Sequence, residues 1–346
     1  MKGKSKGIFA ALTALVLLCC ALLGGCRDAR APETVKIGVC VYKADDTFIS
    51  AMMESFKKIA ADFEAETGVR VNISVADGAE SQATQNEQIE RFLALDYDVL
   101  CVNLVDRTDA ANIIDRARDA GVPVVFFNRE PVREDMLKWD KILYVGSDAR
   151  ESAALEAQIV INSYEADPTS IDLDGNGVIQ YIMLEGERRH QDAIIRTEVS
   201  VETLREAGFA VEKLDGGIAN WNRDQAAALA EGYLRAYGSE IELILCNNDD
   251  MALGAADAVE RLGLTFSNIV GIDGTDKGRA AVEAGKMLGT VDMDLPAHAR
   301  AIFDAAYAFA TGADVADTLE VREDRSVRIP MHIVTYADLV DLKSGK

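Results

Sequence analysis

The chain has 346 residues, with 36 basic and 58 acidic side chains and a formal net charge of −22. That length accommodates two domains of ordinary size. So acidic a balance excludes nucleic acid as the partner, because phosphates require Lys and Arg.

The first elements are processing signals. Lys2, Lys4 and Lys6 precede Ile8–Leu23, an almost wholly apolar run too short to span a membrane. Leu23-Gly24-Gly25-Cys26 closes it. This arrangement resembles the lipobox of bacterial lipoproteins. The resemblance implies a signal peptide over 1–25 and lipidation of Cys26, and loss of the three lysines takes the formal charge from −22 to −25. Residues 26–34 are polar and read as a tether. No later apolar run approaches spanning length, so the remainder is expected to be soluble. Cys40, Cys101 and Cys246 each lie inside an apolar run and are expected to pack in a core, not to form a disulfide framework.

From Val35 strands and helices alternate. Strands are expected at Val35–Tyr42, Val69–Val75, Val99–Val105 and Val124–Phe127, with helices at Phe48–Glu66, Gln82–Leu95 and Thr108–Ala120. A second series begins at Ile142–Val145. It continues with a helix at Glu151–Tyr164, a strand at Tyr181–Leu184 and a helix from about Asp192 to Ala207. Further strands are expected at Ala210–Leu214, Leu243–Cys246, Ile269–Ile272 and Met287–Val291, and helices at Gln225–Tyr237, Ala252–Leu262, Lys277–Ala284 and Ala297–Thr311. The tail to Lys346 is mixed. The strands are near-continuous apolar runs, as in parallel sheets covered on both faces. Two such series predict an α/β protein of two doubly wound domains.

Asp172, Asp174 and Asn176 sit at alternate positions, followed by Gly177, Val178 and Gln180. This is the oxygen spacing of an EF-hand-type calcium loop, with glycine at the sharp turn. The bidentate carboxylate expected at the twelfth position is absent, because Met183 stands there, so the last ligand must come from elsewhere in the chain.

In doubly wound sheets, ligands bind beyond the carboxyl ends of the strands. Asp45, Asp46 and Phe48 follow the first strand, and Asn128 and Arg129 follow the fourth. His190, Asp192 and Arg196 follow Tyr181–Leu184, Asn247, Asn248 and Asp249 follow Leu243–Cys246, and Asp273 follows Ile269–Ile272. Each alone is an ordinary helix cap. Together they predict one shared cleft. Planar carboxylate, amide and guanidinium groups bridge neighbouring hydroxyls, and Phe48 and Trp221 supply aromatic faces. The expected ligand is a small polyhydroxylated molecule.

Eight segments now carry a resemblance: YKADDTF (Tyr42–Phe48), VPVVFFNREP (Val122–Pro131), YVGSD (Tyr144–Asp148), DLDGNGVIQ (Asp172–Gln180), GERRHQDAIIR (Gly186–Arg196), CNNDDMALGA (Cys246–Ala255), VGID (Val270–Asp273) and GTV (Gly289–Val291). From Val35 onward the chain resembles the periplasmic glucose/galactose-binding protein family, the substrate-binding component of a sugar ABC transporter. The resemblance implies two lobes of the periplasmic binding protein type I fold, joined by three chain crossings. These would be 35–147 plus 294–327 and 148–293 plus 328–346. It implies sugar contacts at Asp46, Phe48, Asn128, His190, Asp192, Arg196, Trp221, Asn248 and Asp273, with the ring between Phe48 and Trp221. It implies structural calcium held by Asp172, Asp174, Asn176, the Val178 carbonyl, Gln180 and Glu242. Met293 departs from the pattern, since the family has Asn there, and Asp292 beside it is a candidate substitute.

The expectation is a monomeric lipoprotein at the extracytoplasmic face of the membrane, in the periplasm where an outer membrane is present. It would capture glucose or galactose and deliver it to an ABC permease. The same fold could serve another sugar, or present sugar to a chemoreceptor or sensor kinase. A glycosidase needs two carboxylates with one pKa raised, whereas Arg196 is expected to keep Asp192 ionised. A repressor would need a helix-turn-helix and a basic face.

Overall fold

The structure is a computed structural model and describes residues 34–344. The expected signal peptide, the tether up to residue 33 and the lipidation site Cys26 lie outside the described residues. Among the described residues no helix is long and apolar enough to cross a membrane.

Two six-stranded sheets organise the chain. The first contains β1 (Thr34–Val41), β2 (Arg70–Asp77), β3 (Val99–Val102), β4 (Val124–Phe127), β5 (Ile142–Gly146) and β11 (Ser326–Arg328). Its spatial order is β11-β5-β4-β3-β1-β2, and every pairing is parallel. The second contains β6 (Ile179–Glu185), β7 (Val211–Ile218), β8 (Leu243–Cys246), β9 (Ile269–Asp273), β10 (Gly289–Asp292) and β12 (His332–Thr335). Its order is β12-β10-β9-β8-β6-β7, and only β12 runs antiparallel.

The alternation along each strand explains the continuous apolar runs. Val99 and Cys101 of β3 enter one core with Phe56 and Phe303, while Leu100 and Val102 enter another with Ile89 and Ile113. In β8, Leu243 and Leu245 face one side and Ile244 and Cys246 the other. Both faces are therefore buried, and each fully buried Phe or Ile stabilises the fold by about 1.5–3 kcal/mol. Cys40, Cys101 and Cys246 are free and buried in these cores.

The helices that flank the first sheet are α1 (Thr47–Thr67), α2 (Gln82–Ala94), α3 (Ala110–Ala120), the short α4 (Arg133–Met136) and α10 (Leu295–Thr311). The second sheet carries α5 (Ala149–Ala166), α6 (Gln191–Glu206), α7 (Arg223–Tyr237), α8 (Asp249–Arg261), α9 (Asp276–Glu283) and α11 (Tyr336–Ser344). Caps set the ends. Asp46 accepts the Ile49 N–H to start α1, and Gly68, at φ 73°, ends it in the left-handed region that favours glycine.

The chain crosses between the sheets three times: after β5, between β10 and α10, and between β11 and β12. Ser147 ties two crossings together, its Oγ donating to the Ile329 carbonyl at 3.1 Å and lying 3.2 Å from His298 Nε2. Arg328 forks onto Glu130 at 3.0 and 2.6 Å. The tail that read as mixed contributes one strand to each sheet. β7 runs past its expected end at Leu214 to Ile218, and its pairing with β6 shifts register between Tyr181 and Ile182.

Candidate binding site

Both sheets reverse strand order beside their first strands, and the segments leaving these carboxyl ends face one another. The cavity between them is lined by all nine residues expected to contact sugar, together with Tyr42, Ile49, Arg129 and Met293. Of the other strand-end residues, Asp45 is exposed beside Lys43. Asp249 is fully buried under the floor, where Thr275 and Thr290 hold it. Asn247 is also fully buried, its Oδ1 accepting the Gly186 N–H at 3.0 Å.

Each lining group is aimed by a local device. Asp46 spends Oδ1 on capping α1 and accepts the Tyr42 hydroxyl on Oδ2 at 2.6 Å. Asn128 Oδ1 accepts from Asn103 Nδ2 at 3.0 Å, which leaves its NH2 for the cavity. Asn248 caps α8 through Oδ1 at 3.0 Å with the same result. His190 caps α6, its Nδ1 accepting the Asp192 N–H at 3.1 Å. Burial and nearby arginines push its pKa well below the ordinary value. The ring is therefore neutral, with its proton on Nε2 as a donor.

Arg196, 5% exposed, is the electrostatic centre. Its Nε donates to Ser152 at 3.2 Å and Nη1 to the Asn247 carbonyl at 2.8 Å. Asp192 and Asp273 lie 4.0 Å from the guanidinium. Burial raises the pKa of Asp192 while Arg196 pulls it down, and burial raises Asp273 well above the ordinary carboxylate value. Glu156, fully buried near Arg196, is pushed up to about 8 by desolvation, against the pull of Arg196.

Three lining residues stand at positive φ: Asn128 at 60°, Trp221 at 60° and Asp273 at 129°. Such conformations persist where surrounding structure fixes them, and they cluster at functional sites. Trp221 packs edge-on to His190, with centroids 5.0 Å apart, and its indole N–H is buried without a partner. The ring lies against Gly186, where any Cβ would collide with it. Phe48 packs edge-on to His298. Trp139 packs in the first sheet's outer core, away from the cavity.

Met293, 5% exposed, places its sulfur 3.8 Å from Arg196 Nη2. Asp292 does not take its place. Its carboxylate is held by Arg279, by His332 at 3.0 Å and by the Asp294 N–H at 3.0 Å, and it does not line the cavity. The sequence reading missed Tyr42 and Ile49, and named Arg129 only as a strand-end residue. Arg129 stacks 3.6 Å over the Tyr42 ring and pairs with Glu187 at 2.9 Å. Across the cleft, Thr47 donates to Asp250 at 2.5 Å. These two contacts join the sheets' loops face to face.

The Asp172–Gln180 loop forms a separate cluster. Carboxylate oxygens of Asp172, Asp174 and Glu242 all lie within 4.8 Å of one another. Glu242, 1% exposed, accepts the Leu173 and Asp174 N–H groups on Oε1 and the Gln180 N–H on Oε2. Gly177 turns the loop at φ 84°. The Gln180 side chain meets Val178 O at 3.1 Å and Glu242 Oε2 at 2.7 Å. Turned one way its NH2 bonds to both; turned the other, its oxygen joins theirs around one point. Converging oxygens with three carboxylates fit a hard divalent cation.

Two α/β lobes meeting over a cleft at their strand ends define a clamshell binding protein. The chain belongs to the periplasmic binding protein domain family, whose model matches residues 37–314. It is 32% identical to the D-galactose/methyl-galactoside binding periplasmic protein MglB of Haemophilus influenzae, over 88% of this chain and 91% of that one. It is 31% identical to a putative rhizopine-binding protein of Rhizobium meliloti, over 90% and 93%. A solute-binding protein of an ABC transporter from Bacillus halodurans, solved with bound myo-inositol, superposes with a TM-score of 0.73 at 26% identity, covering 91% of this chain and 99% of that one. These relatives are binding proteins, not enzymes, the third of them the solute-binding protein of an ABC transporter, and the family works outside the cytoplasmic membrane.

Proposed function

We propose that this protein captures a hexose of the glucose or galactose type and delivers it to an ABC permease. The observation that carries the reading is the convergence of Asp46, Asn128, His190, Asp192, Arg196, Asn248 and Asp273 on one cavity that also holds Phe48 and Trp221. Carboxylates and guanidinium would bridge adjacent hydroxyls, and the two aromatics would cover the ring faces. The partnerless Trp221 N–H offers one more donor. Because contacts come from both lobes, the ligand favours the closed state and shifts the population toward it. The membrane partner would read that closed form, and a chemoreceptor or sensor kinase could read the same form. Cys26 would anchor the chain by lipid.

We also infer that the Asp172–Gln180 loop holds calcium with Glu242. The ion would neutralise the carboxylates and tie the loop to the start of β8; the sugar cleft is formed by other residues.

Titration with glucose, galactose, ribose and xylose, followed by tryptophan fluorescence, tests the sugar reading. A saturable response to glucose or galactose is expected with Kd on the order of 1 μM, near −8 kcal/mol, and it should vanish in Trp221→Phe. A response to pentoses alone would overturn the hexose assignment. Met293 favours a ligand edge without a hydroxyl to satisfy. Met293→Asn is expected to shift the preference among hexoses by about tenfold, one hydrogen bond's worth; unchanged affinities for all of them would remove Met293 from the specificity argument.

A further inference from the structure

The Asp172–Gln180 loop carries a second chemistry besides its converging oxygens. Asn176 is exposed there, and it alone among the asparagines of the chain precedes a glycine. Gly177, at φ 84°, has open space where a Cβ would stand, so no side chain shields its backbone nitrogen from the Asn176 carboxamide. Three contacts arrange the pair. The Gly177 N–H donates to Asp172 Oδ2 at 3.0 Å, which puts a base within reach of the proton on that nitrogen. The Val178 N–H donates to Asn176 Oδ1 at 2.7 Å, where it polarises the carboxamide and would steady the oxyanion of a tetrahedral adduct. Asn176 Nδ2 donates to Asp174 Oδ2 at 2.9 Å, so the third partner holds the nitrogen that an attack at Cγ would expel.

We propose that Asn176 is a site of spontaneous covalent modification, cyclising onto the Gly177 nitrogen with loss of ammonia and reopening as aspartate or isoaspartate, and that a cation held in the loop suppresses it. The Gly177 nitrogen gives up its proton and attacks Asn176 Cγ. The new N–Cγ bond closes a five-membered succinimide, the Cγ–Nδ2 bond breaks, and the amide nitrogen leaves as ammonia with the proton taken from Gly177. Water then opens the ring at either carbonyl. One opening gives aspartate; the other gives isoaspartate, with the backbone rerouted through the side chain. The sum is water consumed and ammonia released, with no redox step.

The suppression rests on the calcium reading of this loop; the cyclisation rests on the three contacts alone. A bound ion would occupy the oxygens of Asp172, Asp174 and Asn176 that the cyclisation uses, and would fix the carboxamide away from the nitrogen. The products act back on the loop. Aspartate adds a carboxylate at its fifth position, and ligand charge tunes calcium affinity. Isoaspartate lengthens the backbone there by one methylene and spoils the spacing of the ligands on either side. The loop's hold on calcium would therefore change with the time the chain spends without it.

Prolonged incubation of the purified protein in mildly alkaline buffer, with a chelator or with calcium, tests this by peptide mass mapping and an isoaspartyl methyltransferase assay. Calcium binding is measured by calorimetry on the same preparation. In chelator the peptide holding Asn176 should gain the mass of an amide turned to an acid, and part of it should accept methyl groups. Asp174, which also precedes a glycine, could isomerise only without that mass change. Asn162, followed by Ser163 within α5, should stay intact. With calcium at about 100 times its Kd only about one loop in 100 is free, so the reaction should slow on the order of 100-fold. Asn176→Gln should remain unmodified in both buffers, and Asp172→Asn should react more slowly than the parent in chelator. No mass gain at Asn176 in chelator, or a faster reaction in Asp172→Asn, would overturn the proposal. If calcium binds and the two buffers give equal rates, the suppression falls and the calcium reading stands. If calcium does not bind and Asn176 still converts, the calcium reading falls and the modification site stands.

Discussion

Arg196→Leu is expected to weaken sugar binding by about 100- to 10,000-fold, the loss of two hydrogen bonds from a charged donor at about 1.5–3 kcal/mol each. The same change strips Asp192 and Asp273 of the guanidinium 4.0 Å away. Removing one partner of a buried charge pair costs about 3–5 kcal/mol at ideal geometry, and these longer contacts put the loss toward the lower end. The loss depends on pH. Burial already raises both acids in the folded state, and without Arg196 they rise further. The folded variant then keeps protons that its unfolded chain releases above a pKa of about 3.9. Its stability is fullest below that value and falls as pH rises through the raised folded pKa values. Thermal melts should therefore separate variant from parent more at pH 8 than at pH 5. Arg196→Lys keeps the charge but not the fork, and should recover stability better than affinity. An Arg196→Leu protein that binds sugar within threefold of the parent would show that the guanidinium does not touch the ligand.

Chelation of the calcium proposed for the Asp172–Gln180 loop is expected to be the second large effect. If the ion is present at about 100 times its Kd, its loss removes about 2.7 kcal/mol. At about 2–4 °C per kcal/mol for domains of this size, the melting temperature should drop by about 5–10 °C. Glu242→Gln should reproduce the drop with calcium present, because Glu242 holds the loop N–H groups of Leu173 and Asp174 and faces Asp172 and Asp174. The preference among hexoses should persist, since no loop residue lines the sugar cavity. Loss of that preference on chelation would mean that the ion does more than hold the loop.

The sequence was legible wherever one residue type served two levels of structure at once. The apolar runs of β3 and β8 betrayed strands buried on both faces. Asp46, His190 and Asn248 were legible because each caps a helix at the end of a strand and so stands at the cleft rim. What escaped lacked a local signal. β11 and β12 are three and four residues long, partly polar, and defined by neighbours far away in the chain. Asp292 looked like a substitute for the family's Asn, yet its partners Arg279 and His332 are set by sheet pairing and a distant helix. The raised pKa of Asp192 had no signal in the sequence: its neighbour Arg196 is visible there and its burial is not.

The last strands have a bearing on how the chain becomes a protein. The first sheet lacks its edge until residue 328 and the second until residue 335. The helix Leu295–Thr311 that covers the first sheet arrives only after the second sheet's parallel strands have been made. Neither lobe is a continuous stretch of chain, so neither can be completed while the carboxyl-terminal tenth is still missing. Completion of both lobes therefore waits for the same late segment, an order compatible with threading an extended polypeptide through a membrane before it folds.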